Sequence, residues 1–125
     1  MKKLLLTLLA PLLLVTGSAW AEWVLVAEGN TANLYIDPST IRKDGNLVKV
    51  WKISDLKQRH KDGELSRRVR AEYDCKQERF KLLSASFHSG AMASGTTLTT
   101  QIGSGQWEDI PPKTVGETVL KIVCE

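Results

Sequence analysis

"SRRVRAEYDC", residues 66–75, is the stretch whose reading decides the fold. Its side chains alternate. Val69, Ala71, Tyr73 and Cys75 fall on one face of an extended chain, and Arg68, Arg70, Glu72 and Asp74 on the other. Such a strand buries one face and leaves the other to water. Cys75 therefore faces inward with the apolar set. Three roles are open to it: nucleophile, metal ligand, or half of a disulfide.

The compartment bears on that choice. The chain begins "MKKLLLTLLAPLLLVTGSAWAEW", with basic Lys2 and Lys3, an apolar run from Leu4 to Val15, and Ala19-Trp20-Ala21 as a cleavage site. This pattern is that of a secretory signal peptide. The apolar run is interrupted by Pro11 and is shorter than the roughly 20 residues of a spanning helix. Residues 1–21 are read as a leader and 22–125 as one exported domain, destined for the periplasm, the cell surface or the medium. No cysteine near the cleavage site suggests a lipid anchor, and no later segment reads as a membrane span.

The expected mature chain holds only Cys75 and Cys124. An even pair in an oxidising compartment reads as a disulfide. A zinc site would want about four ligands, and Cys75, Cys124, His60 and His88 lack ligand spacing. A catalytic thiolate would want a nearby histidine base. Sequence favours the bridge and leaves the other two readings open. No cofactor is expected.

Loss of the leader also changes the charge. The full chain has 17 Lys+Arg against 14 Asp+Glu; without Lys2 and Lys3 the balance is 15 against 14, a net charge of +1. The domain is not basic overall, so nucleic acid is not an expected partner, and any electrostatic docking must rest on local clustering.

Strand signals continue on both sides of the opening stretch. "EWVLVAE" (22–28), "NLYID" (33–37), "NLVKVWKIS" (46–54) and "RFKLLSASFH" (79–88) are rich in strand formers. "KDGN" (43–46) carries a hairpin signal, and "LKQRHKDGE" (56–64) reads as an exposed loop. Along 46–54, Leu47, Lys49, Trp51 and Ile53 share one face and Val48, Val50 and Lys52 the other. "SGAMASGTT" (89–97) reads as a flexible link. "TTLTTQI" (96–102) and "GQWEDI" (105–110) form one strand or two, with Gly103 to Gly105 as the break. Thr114 to Glu117 is a T-x-x-E capping box, and Val115, Val119, Ile122 and Val123 mark one helical face, with Cys124 at its edge. The expected bridge therefore joins the inner face of a strand to a terminal helix packed across the sheet.

"LYIDPSTI" (34–41), "VKVWKI" (48–53), "EYDC" (72–75) and "VLKIVC" (119–124), in this order, resemble the surface-adhesin protein E family of bacterial envelope proteins. The resemblance implies an α+β fold: an antiparallel sheet of about six strands with a C-terminal helix held on one face by the disulfide. It also implies an adhesin-like role, binding host matrix or serum proteins, and the option of a homodimer.

The functional candidates are cationic. Nine cations and six anions lie between Asp55 and Lys81. Of these, Arg67, Arg68, Arg70, Arg79 and Lys81 are read as the partner-binding set, facing a protein or an anionic glycan. The competing reading is a solvated face of cross-strand Arg–Glu pairs. Trp51 and Tyr73 are expected in the core, and Trp23 and Trp107 at the surface or a dimer contact. His60 and His88 are read as surface histidines. Ser84, Ser86 and Ser89 lie near His88, but no nucleophile elbow or acid–base pair is present, so no catalytic residue and no metal ligand is expected. The competing function is a periplasmic structural or regulatory domain without a host ligand.

Overall fold

The computed structural model describes residues 22–125; the expected leader, 1–21, lies outside the described residues. The strands are β1 (Val24–Glu28), β2 (Ala32–Ile36), β3 (Arg42–Asp44), β4 (Leu47–Leu56), β5 (Ser66–Asp74), β6 (Arg79–His88), β7 (Thr97–Ile102) and β8 (Glu108–Asp109), followed by helix α1 (Val115–Val123). They form one antiparallel sheet in the order β1-β2-β4-β5-β6-β7, with β3 beside β4 and β8 beside β6. The path has the expected six strands. The two additional strands are short pieces at one end of the sheet, β3 beside the start of β4 and β8 beside the start of β6, and the Gly103 to Gly105 break does split the last segment in two.

The alternation of β5 sets the two faces of the sheet. Val48, Val50, Ala71, Tyr73 and Ile36 pack with Val119, Leu120 and Val123 of α1 to form the core. The helix starts at Thr114, whose side chain accepts from Glu117 N–H at 3.2 Å, while Glu117 Oε1 accepts from Lys113 N–H at 3.1 Å. A cap of this kind contributes about 1 kcal/mol to a helix of only nine residues. Cys75 and Cys124 are bonded, with their Cα atoms 5.7 Å apart, so the inward strand position and the helix end are tied covalently.

β6 keeps its apolar side on the core by a break in period. Its register with β5 slips between Arg70 and Ala71: Ala71 faces Leu82, whereas Arg70 faces Ser84. The extra residue, Leu83, reverses the parity of the strand. Phe80 and Leu82 before it, and Ala85 and Phe87 after it, therefore share the helix side. Ser84, Ser86 and His88 turn to the opposite, outer face.

The link 89–97 is tied down rather than loose, which corrects the sequence reading. Ala91–Ala93 form a 3-10 turn across the outer face of β4 and β5. Met92 and Ala93 both have left-handed backbone, at φ +53° and +60°. That costs about 1–2 kcal/mol per residue. The offset is specific: Met92 N–H donates to Asp55 Oδ1 and Ala93 N–H to Ser66 Oγ, each at 2.8 Å, while Ser66 Oγ–H donates to the Gly90 carbonyl at 2.6 Å. Under this turn Ile53, on the outer face, is 0 % exposed.

Candidate functional site

The outer face of β4, β5 and β6 is where the cationic candidates gather. Cross-strand register places Trp51 opposite Arg70 and Arg70 opposite Ser84, while Ile53, Arg68 and Ser86 form the next row. Trp51 is half-buried on this face rather than in the core with Tyr73, a correction to the sequence reading. Its ring lies under two guanidinium groups, Arg68 at 5.0 Å and Arg70 at 5.9 Å from the centroid. An aromatic face attracts such cations and holds their planar groups in place. Among the described residues, neither arginine has a carboxylate within 4.0 Å, nor a side-chain hydrogen bond.

A second pair sits at the other end of the same face. Arg79 and Lys81 lie 4.7 and 4.5 Å from the centre of the Trp107 ring. Trp107 is carried there by the pairing of β8 with the start of β6. Both cations also have carboxylate partners, Asp74 at 3.1 Å from Arg79 and Glu72 at 3.4 Å from Lys81. The Asp74 carboxyl is held below the usual aspartate range by the Gln77 amide first, then, against the opposing effect of burial, by Arg79 and the Lys76 amide. The solvated-face reading thus describes Arg79 and Lys81, but not Arg68 and Arg70.

Arg67 does not join them. It points to the opposite side of the sheet, pairs with the buried Glu64 and lies over the Phe87 ring at 5.6 Å. Nearby, His60, Asp62 and Glu64 bring ligand atoms within 4.8 Å of one another. These donors are already engaged: Glu64 with Arg67, and His60 Nδ1 with the Asp62 N–H at 3.2 Å.

Between Trp51 and the sheet margin runs a groove of about 430 Å³, with Trp51 and Arg68 on one wall, Ser84 and Ser86 on the floor, and Thr100 and Ile102 beyond. Ile102 is 87 % exposed. Sequence reasoning missed Trp51 and Ile102 as surface features. The signal for Trp51 was its parity: it alternates out of phase with Val48 and Val50.

His88 is the other correction. It is 6 % exposed, buried at the end of β6 beside the 89–97 link. Its Nε2 lies 2.7 Å from Ser86 Oγ and its Nδ1 3.4 Å from Thr97 Oγ1, so hydroxyls meet both ring nitrogens, and among the described residues no carboxylate orients the ring. Burial, and then the Arg68 charge, push its pKa below the ordinary value of 6.5. In the unfolded chain His88 takes up a proton near pH 6.5; in the folded chain it does so only at lower pH. Stability from neutral His88 is therefore complete above about pH 6.5 and falls as pH drops below it toward the folded value. The expected result is a lower melting temperature at pH 5 than at pH 7.5, with the difference reduced in His88→Gln. An equal pH dependence in the variant would remove His88 as its source.

Fold and site together define a class: a disulfide-stapled α+β domain that exposes one sheet face studded with aromatic-backed cations. The model of the family "Surface-adhesin protein E" matches residues 23–125, and the chain belongs to that family. This makes it an adhesin-like envelope protein. Among solved structures, crystal form II of Haemophilus influenzae protein E is similar at a TM-score of 0.68 and 15 % identity, covering 92 % of this chain and 96 % of that one. Its selenomethionine form gives 0.67 and 15 %, over 90 % and 92 % of the two chains. Protein E from non-typeable Haemophilus influenzae gives 0.58 and 16 %, over 90 % and 81 %. At such identities the likeness is one of fold. No curated protein sequence matches the chain. Among the described residues no helix is long and apolar enough to cross a membrane.

Proposed function

We propose that this chain is an exported, non-catalytic binding module whose outer sheet face docks an anionic partner, a protein or a glycan. The observation that carries the reading is the state of Arg68 and Arg70. Both are stacked on Trp51, held on a strand in fixed register, and without a carboxylate among the described residues. Guanidinium groups bind carboxylate or sulfate through two parallel hydrogen bonds, and preorganisation on an aromatic ring reduces what is lost in ordering them. Arg79 and Lys81 lie on the same face but are charge-balanced by Asp74 and Glu72, which leaves Arg68 and Arg70 as its unpaired arginines among the described residues.

The test is binding of the mature domain to immobilised heparin and to immobilised poly-glutamate. Arg68→Ala with Arg70→Ala is expected to weaken binding about tenfold or more, with the fold intact by circular dichroism. Added salt is expected to weaken the wild type in the same direction. Retention indifferent to both changes would overturn the reading and leave the basic strand as a solvated face.

Export is part of the proposal. N-terminal sequencing of the protein recovered from the envelope is expected to begin at Glu22, and an N-terminus at Met1 would count against a cleaved leader.

A further inference from the structure

One long margin of the sheet is open. All six residues of β7 are exposed, and no charged residue or proline occurs from Ser94 to Gln106. Sheet edges are ordinarily kept from pairing with other chains by charges, prolines, bulges or a covering element. The other edges here have such features. β1 carries a bulge between Leu25 and Ala27 and has α1 packed beside it; β3 is Arg42-Lys43-Asp44, and β8 is Glu108-Asp109. Among the described residues, β7 has none of them beyond a bulge at Leu98 near its start.

The hydrogen-bond phase of β7 can be assigned. Gly103 N–H donates to the Leu83 carbonyl at 3.0 Å, which makes the facing pair Ile102 and Ser84 a non-hydrogen-bonded one. By alternation Gln101 and Thr99 turn their N–H and C=O groups to β6. Thr100 and Ile102 turn theirs outward, to the open edge. On the outer face, the same two residues border the groove that leads to Arg68 and Trp51.

We propose that β7 accepts an extended, acidic segment of a partner protein as an added strand, whose carboxylates reach Arg68 across the groove, with Arg70 adding positive charge behind it. The proposal rests on the reading of the outer face as a docking surface and names the form of its ligand. Roughly 14 Å, three strand spacings, separates β5 from the added strand. A glutamate of the added strand and Arg68, turned from Trp51 into the groove it already lines, cross that span together over the small Ser84 and Ser86 side chains. Charge selects among the occupants. A second copy would bring its own Thr97–Ile102, which has no carboxylate, and leave Arg68 and Arg70 unmatched. A glycan would meet the cations but offer no regular ladder of amides to the outward groups of Thr100 and Ile102.

The probe is a blocked ten-residue peptide of alternating valine and glutamate, titrated into the isotopically labelled mature domain. Binding is expected to shift the amides of β7 and of Ser84 and Ser86. Thr100→Pro removes an outward N–H while leaving the ladder to β6 whole, as edge prolines do, and is expected to weaken binding at least tenfold. The same peptide N-methylated at alternate amides, tested on the wild type, is expected to lose binding equally and does not depend on the variant folding. Arg68→Ala with Arg70→Ala tests the underlying reading separately. Loss with the arginine pair, but none with Thr100→Pro or the methylated peptide, would overturn strand addition and keep the docking face. Loss with the edge changes alone would keep the edge and remove the arginines. Self-association of the free domain that Thr100→Pro abolishes would assign the edge to a second copy, and heparin binding that Thr100→Pro weakens equally would assign it to a glycan; either overturns the proposal.

Discussion

The mature protein with Cys75→Ala and Cys124→Ala is expected to be less stable to unfolding by about 4 kcal/mol. The bridge spans 49 residues of sequence, and closing a loop of that size removes about that much chain entropy from the unfolded state. The local effect is as specific as the global one. α1 has nine residues, too few to persist as an isolated helix, which needs about 12–15. Its other ties include the apolar contacts of Val119, Leu120, Ile122 and Val123, the Thr114 cap, and the Lys43 ammonium on the Glu125 carbonyl. Reduction should therefore raise amide exchange in 115–123 before exchange rises in β4 and β5. Denaturant unfolding with and without reductant measures the first effect, and hydrogen exchange the second. Two titratable thiols in the denatured, unreduced protein, or an unchanged denaturation midpoint, would rule out the bridge as a stabilising element.

Gly103→Ala is expected to cost about 3 kcal/mol, the upper part of the range for overpacking a closed site. A Cβ at this position would stand 1.8 Å from the Leu82 carbonyl oxygen and 2.6 Å from its carbon. Both are backbone atoms at the bulge of β6 and have no side-chain freedom with which to retreat. Relief requires β7 to leave β6. Protection of the Thr99 and Gln101 amides should fall sharply, while the helix-side core of Val48, Val50 and Tyr73 stays protected. Loss of β7 would also remove the groove wall at Ile102, so the acidic peptide should bind this variant weakly. Full protection at Thr99 and Gln101 in Gly103→Ala would show that the chain passes the bulge another way.

The alternation of residues 66–75 was sufficient to place Arg68 and Arg70 opposite Cys75, because a strand has a side-chain period of two and β5 keeps it without interruption. The cysteine count, the leader pattern and the capping box at Thr114 were equally local, and the bridge and the helix lie where they put them. The 34–41, 48–53, 72–75 and 119–124 segments were enough to indicate the family. What local pattern could not supply was which face of the 46–54 strand the helix covers. Trp51 and Val50 are both apolar neighbours, and only the packing of Val119, Leu120 and Val123 on Val48 and Val50 selects between them. Trp51 is left on the other side, where arginines rather than aliphatic side chains cover it.

His88 and Arg67 misled for related reasons. A histidine after an ordinary strand, followed by small residues, looks solvent-facing until Ala91–Ala93 fold back over the sheet. That return is held by Asp55 and Ser66, which are 37 and 27 residues from the N–H groups they receive. Arg67 adjoins Arg68 in sequence yet belongs to the other face, and its partner Glu64 was as visible as any other carboxylate. The sequence by itself determined the strand and helix segments, the inward cysteine and the cationic strand, since each follows from period, composition or capping within a few residues. The tertiary structure alone decided which apolar face became the core, which cations kept no carboxylate, and which edge stayed open. Those outcomes depend on the Leu83 bulge, the folded-back link and the helix position, each a contact between segments far apart in the chain.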